Sequence, residues 1–336
     1  MMLTLDTDQL NAVHQLLPHR GLLIFTSGAE HAITTAPPIT PKNVAIEEQS
    51  RRGIKRYARV DEVDGAVLFI QRGGAALRQF TYSEIEQSWR ADLASLLAPH
   101  LILNPRDVVI GRGSAQDDAD LVLLPDAAGV TVLSTLRAQE VAAFARWTLD
   151  GELRAAAALA NGTLWLAAQR DGAMRLLLVD PACLLDHSLS FSFASPVGSL
   201  TGLAHLAGRE VVMLLDGRPE GTITVPPAGT ITLPRECLAA EIGLGFEVMI
   251  ETMPVEPRAP EGAAIGRALR LIEAAVRVHR AGPYDLRGTT LNTRTLGAAP
   301  APPLDVVPPL PPVWRSAEDR LQGLRGWAAR QAITIT

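Results

Sequence analysis

Five short hairpins at a nearly constant interval constrain the fold of this chain more than any other feature. Apolar runs rich in Val, Ile, Leu and Thr, bounded by Gly, Asp and Asn, recur through residues 1–235. Such runs are the pattern of strands joined by tight turns. The hairpins span Gly21–Thr34, Ala66–Tyr82, Leu121–Ser134, Leu164–Val179 and Val211–Val225. Their turns fall near Gly28, Gly73, Ala128, Gly172 and Gly217, giving steps of about 45, 55, 44 and 45 residues. A period of about 40–45 residues holding several strands is how propeller blades read in sequence.

The local chemistry agrees with the period. Arg72–Gly73–Gly74, Asp171–Gly172 and Asp216–Gly217 put Gly or Asp where a tight hairpin needs positive φ. The flanking arms are almost continuously apolar, as expected of strands covered on both faces. Val141–Trp147 and Arg154–Leu159 are further strand candidates that would complete the blades. A β-sandwich is the competing arrangement, with turns every 8–12 residues or so and no longer period. The expected fold is all-β, a β-propeller of about five blades whose terminal blades are open to completion by other strands, with a small C-terminal β domain.

Composition shifts after residue 253. Pro254–Ala264 is a proline-rich connector, and a second runs from Gly297 to Pro312, where the prolines read as a stiff spacer. Expected domains are therefore 1–253, the propeller repeats, and 254–336, a docking segment. Between the connectors, Ile265, Leu269, Ile272 and Val276 sit at helical spacing. Yet Ile272, Ala274, Val276 and Val278 alternate with Glu273, Ala275, Arg277 and His279, a strand pattern. An irregular or helical start and a strand over Leu271–Arg280 are expected. The strand-like stretches Leu3–Leu5 and Ile333–Ile335 lie at the two ends, and the second needs a partner strand.

No pattern carries catalysis. The seven histidines, His14, His19, His31, His100, His187, His205 and His279, show no pair at metal-ligand spacing; His14 and His19 flank Pro18. Asp117, Asp118 and Asp120 resemble the opening of a calcium loop without its Gly and closing Glu. Gly111–Arg112–Gly113 reads as turn geometry. Cys183 and Cys237 stand in separate segments, which indicates neither a disulfide framework nor zinc. No catalytic, cofactor-binding or metal residues are expected, and no enzyme. No apolar stretch is long enough to span a bilayer, so membrane insertion is not expected. A net charge of −5 argues against a surface that grips nucleic acid. The basic run Arg51, Arg52, Lys55, Arg56 and Arg59, with Tyr57 among them, reads as a solvated loop.

Three segments, residues 6–34, 40–60 and 65–83, resemble the tail nozzle or tail-hub proteins of short-tailed phages, some of them called tail tubular protein B or phage stabilisation protein. The residues that carry the resemblance are Asp8–Gln9 with Asn11–Ala12, Thr26–Ser27–Gly28–Ala29–Glu30, and Phe69–Ile70–Gln71–Arg72–Gly73–Gly74. Ala91–Asp92–Leu93, Leu97 and His100 follow. The likeness thins through Arg106–Pro234 and returns weakly in Val276–Leu286 and Gly326–Ile335. Against the family pattern the chain looks truncated at both ends, which would suit a prophage remnant, a split gene or a variant built with another subunit.

The resemblance implies a structural virion component, assembled in the host bacterial cytoplasm and located in the tail. It implies a homo-oligomeric ring that docks tail adaptor or portal-side proteins and fibre proteins. Genomic DNA would pass through it without sequence-specific binding. The alternative is a cellular or prophage-derived β-propeller serving as a protein-interaction module without catalysis.

Overall fold

The computed structural model describes residues 11–33, 40, 44–113, 119–136, 139–252, 258–259, 262–263, 272–281, 284–286, 289–291, 315–322 and 334–335. The chain forms two compact units, Met1–Pro181 and Ala182–Thr336. The boundary that composition suggests, at 253/254, falls inside the second unit, because proline content marks connectors and not the limits of packing.

The first unit is a series of antiparallel sheets taken in chain order. Strands β1 (Val13–His19), β2 (Gly21–Thr26), β3 (Glu30–Ile33) and β4 (Ile46–Ser50) pair successively as one meander. The meander is repeated by β5 (Asp61–Val63), β6 (Ala66–Ile70), β7 (Leu77–Ser83) and β8 (Ser88–Leu93). It returns in β9 (Val109–Gly111), β10 (Asp120–Pro125), β11 (Gly129–Leu136) and β12 (Val141–Thr148). The fourth sheet has three strands, β13 (Glu152–Ala158), β14 (Leu164–Arg170) and β15 (Ala173–Val179). The first four expected hairpins are β2–β3, β6–β7, β10–β11 and β14–β15, and the two inserted strand candidates are β12 and β13. Asp171 and Gly172 turn with φ of 47° and 77° as their residue types require; in the second hairpin Gly74, not Gly73, carries the positive φ.

Side chains alternate across a strand, so one inner strand feeds two cores. All five residues of β6 are buried. Val67 and Phe69 pack with Leu23 and Phe25 of the first sheet. Leu68 and Ile70 pack with Ile110, Val122 and Leu124 of the third. Val109 and Leu123 face away from the second sheet, and pack with Leu153 and Leu166 of the fourth. The continuous apolar arms are thereby explained. Phe25, Phe69, Phe80, Tyr82 and Trp89 gather in the first of these cores, where Phe80 stacks on Trp89 at 5.1 Å and 12° and Phe25 meets Phe69 at 5.7 Å.

Hydrogen bonds between neighbouring sheets repeat at nearly the same interval as the hairpins. Gln15 and Val60 exchange two bonds of 2.7 and 2.8 Å, 45 residues apart. Arg59 donates to Asp107 at 2.9 Å across 48 residues, and Arg106 to the Leu153 carbonyl at 3.1 Å across 47.

The second unit holds the fifth hairpin, β17 (Glu210–Leu215) and β18 (Arg218–Thr224), in another setting. A long ribbon of β16 (Asp186–Leu200) and β19 (Ile231–Leu244) gives the order β16-β19-β17-β18, which is no meander. Turn spacing locates a hairpin and is silent about which strands flank it, so counting the fifth hairpin with the other four does not make its sheet the same. Leu203, Leu206, Val211, Leu215 and Ile242 are among the residues of its core. Smaller pieces follow: β20 (Ile250–Glu251), β21 (Arg258–Ala259), β22 (Gly262–Ala263), β23 (Glu273–Ala281), β24 (Tyr284–Leu286), β25 (Thr289–Leu291), β26 (Arg315–Gln322) and β27 (Thr334–Ile335).

The expected strand Leu271–Arg280 is β23; within it Ala274 is buried while Glu273, Ala275 and Arg277 are exposed. Its partner is β26, whose residues, RSAEDRLQ, are mostly polar and show no strand pattern in sequence. The last strand finds partners in Ile250–Glu251 and Leu286. Leu3–Leu5, residues 264–271 and Gly297–Pro312 lie outside the described residues.

Candidate functional site

Of the residues that carry the family resemblance, Asn11–Ala12, Thr26–Glu30 and Phe69–Gly74 meet at one end of the first two sheets, while Asp8–Gln9 lie outside the described residues. Asn11 lies against Gly28, where a Cβ would stand 2.3 Å from the Asn11 Oδ1. Ala12 and Ser27 exchange bonds, the Ser27 amide donating to the Ala12 carbonyl at 2.9 Å and the Ala12 amide to Ser27 Oγ at 3.1 Å. Thr26 Oγ1 donates to the Ala29 carbonyl at 2.6 Å and accepts from the Ala29 amide at 3.0 Å, fixing the first hairpin turn.

The connector 51–60 crosses this end and ties it to the second sheet. Gly53 has φ of 68°, and a Cβ there would stand 2.3 Å from the Ser27 carbonyl oxygen, so only glycine fits. The Arg72 amide donates to the Gly53 carbonyl at 2.9 Å and the Lys55 amide to the Ile70 carbonyl at 2.8 Å. Lys55 Nζ then reaches the third sheet's approach, donating to Asn104 Oδ1 at 2.6 Å and to the Pro105 carbonyl at 2.6 Å.

Glu30 lies beneath the connector with no exposed surface. Ser50 Oγ donates to it, as does the Arg52 amide at 3.2 Å, while its Oε1 has no hydrogen-bond partner. Burial raises its pKa above the ordinary glutamate value against the pull of these donors and of Arg78. The basic run is thus more than a solvated loop. Arg59 pairs with Asp107 at 2.7 Å, Arg51 pairs with Glu48, and Arg56 lies 4.6 Å over the Tyr57 ring.

Two other turns are locked by arginines from later strands. Asp126 accepts from Arg146 Nη2 at 2.7 Å and from the Ala128 amide at 2.8 Å. Asp216 accepts from Arg235 Nη1 at 2.7 Å and from the Leu238 and Ala239 amides at 3.0 Å. Burial opposes ionisation at both aspartates; the guanidinium and amide donors outweigh it and hold both pKa values below the ordinary range. Aspartate at a turn is readable in sequence, whereas its arginine partner, 20 residues on from Asp126 and 19 from Asp216, is not.

The histidines are distributed. His19 meets Trp89 edge-on at 5.1 Å, and His31 is buried in β3 with its pKa lowered by burial. His187 and His205, which sequence spacing does not connect, bring their rings to 4.9 Å. Among the described residues no three or more His, Cys, Asp or Glu side chains are grouped to hold a metal. Asp117 and Asp118 lie outside the described residues, and Asp120 accepts from the Gly113 amide at 3.0 Å. Cys237 is buried, which pushes its thiol pKa up, and Cys183 is half-buried. No helix among the described residues is long and apolar enough to cross a membrane.

One apolar surface stands open in the first unit. On the face of the fourth sheet turned from the third, Trp165 pairs with Leu178, Ala167 with Leu176 and Gln169 with Met174. Met174, Leu176 and Leu178 are 58%, 69% and 49% exposed. The strand that bears them, β15, is at the sheet's edge, with β14 as its one partner among the described residues. No protein-family model and no curated protein matches the chain.

Proposed function

We propose that the chain is a structural subunit of a phage tail, a nozzle or hub component, and that its serial sheets are blades of a β-propeller. The observation that supports this most is that the residues of the resemblance form one joint: Asn11–Ala12, Thr26–Glu30 and Gln71–Gly74 are held together around Gly53. The resemblance therefore falls on contacts that set one sheet against the next, the architecture a rigid ring subunit needs.

The open apolar face and free edge of the fourth sheet suit assembly, since an uncovered sheet of this kind is a docking surface. Its occupant in this reading is the neighbouring subunit of a homo-oligomeric ring, with adaptor or portal-side and fibre proteins bound at the rims and DNA passing through. Negative-stain microscopy of the purified chain, and of tail particles encoded by its neighbouring genes, tests the reading. Rings of the chain and tail density labelled by an antibody to it are expected. A monomer absent from such particles would overturn the reading in favour of a protein-interaction module.

A further inference from the structure

The chain's net charge of −5 conceals a segregation of charge along the sheets. Asp64 sits in the β5–β6 turn, and Glu84 and Glu86, paired with Arg20 and Arg90, in the β7–β8 turn, at one end of the second sheet. Arg52, Lys55, Arg72 and Arg78 collect at the other end, beside the joint described above. Their backbones are tied together through the Arg72–Gly53 and Lys55–Ile70 bonds, and Arg78 Nε donates to Gln71 Oε1 at 2.8 Å.

None of these four forms an ion pair with a carboxylate among the described residues. Lys55 spends its donors on neutral acceptors of Asn104 and Pro105, and Arg78 on Gln71 and the Ala91 carbonyl. Burial lowers the pKa values of Lys55 and Arg78, and the neighbouring cations Arg106 and Arg52 lower them further, against the pull of Glu30 and Asp92 on Arg78. An anion would relieve the repulsion between Arg52 and Arg78. Tyr57, two residues beyond Lys55, is 82% exposed, with Arg56 over one face of its ring.

We propose that this end of the sheets is a contact surface for nucleic-acid phosphates, carried by Arg52 and Arg72, with Lys55 and Arg78 adding positive charge behind them and Tyr57 as a stacking platform for an unpaired base. Arg52 and Arg72, exposed and without a side-chain partner among the described residues, are the cations free to neutralise phosphates, and an exposed aromatic in the same connector favours a nucleic-acid strand over an acidic protein surface. No base-edge reader stands among these residues, so binding is independent of sequence. The inference rests on the reading above in one respect, that DNA passes the protein.

Fluorescence anisotropy of the full chain with fluorescein-labelled oligo-dT, and with a duplex of equal length, tests it across a salt series. Binding is expected to weaken linearly on logarithmic axes as salt rises. Arg52→Glu with Arg72→Glu should bind about tenfold more weakly, with a salt slope shallower by about two. Tyr57→Ala should lose more affinity for oligo-dT than for duplex, and Arg20→Glu, at the acidic end, should lose none. Circular dichroism checks each variant; should the double variant misfold, Arg72→Gln alone is read, with a slope shallower by about one.

Absence of salt-dependent binding by the folded parent chain would overturn the proposal, as would variants that bind unchanged. Displacement of the oligonucleotide by poly-L-glutamate at equal charge concentration would assign the surface to an acidic protein and overturn it as well. An intact ring that binds no DNA defeats this inference alone, and DNA binding by a chain that forms no ring defeats the tail reading alone.

Discussion

At Asp126 two opposed effects meet, and their balance sets a pH dependence. Its side chain is 5% exposed and that of Arg146 16%, so the pair is largely withdrawn from water. The depressed pKa means that its stabilisation is complete above the unfolded carboxylate's value of about 3.9 and is lost as pH falls through the lower folded value. Asp126→Asn should cost about 3 kcal/mol at pH 7, where Arg146 is left without its charge partner. Urea unfolding at pH 7 and at about pH 2.5 checks this, with the gap between variant and parent closing in acid.

Glu30 has the opposite sign. Its pKa is raised by burial, so its share of stability is present below the unfolded value of about 4.3 and is lost as pH rises toward the folded one. Glu30→Gln should therefore gain on the parent chain as pH rises from about 4 to 7, which paired thermal melts would read.

At the scale of elements, four of the five hairpins were readable because turn chemistry and burial on both faces agree: Asp171–Gly172 demands a tight turn, and β6 is apolar at every position because two cores claim it. The fifth hairpin was equally readable, but not its setting, because pairing with the long β16–β19 ribbon is a non-local choice that turn residues do not encode. Nor was β26 visible, being a polar strand recruited by β23. The joint was half legible: the glycines stood out, while Gly53's need for φ of 68° against the Ser27 carbonyl is a contact between distant segments. Strand β15 gives the element-scale prediction. Leu176 is exposed, so Leu176→Lys should leave unfolding free energy within about 0.5 kcal/mol of the parent. If copies join through this face as proposed, it should abolish self-association in sedimentation velocity, because a charge would then stand in the subunit contact.

The molecule as a whole is a one-way series of sheets in the first unit and a separately cored second unit. Each unit's core draws on its own residues, so calorimetry should resolve two unfolding transitions. Phe80→Ala, which empties a fully buried site stacked on Trp89, should lower one of them by about 3–5 kcal/mol and leave the other in place. Loss of both together would mean that the units unfold as one.

In the proposed assembly the serial sheets are blades, and copies close into a ring through the open face of the fourth sheet. Cryo-electron microscopy of the purified chain at high concentration measures both at once. The predicted result is a closed ring of copies with sheets radiating about an axis and Met174, Leu176 and Leu178 covered at the subunit contact. A monomer whose sheets stack without a common axis, with that face in solvent, would contradict it.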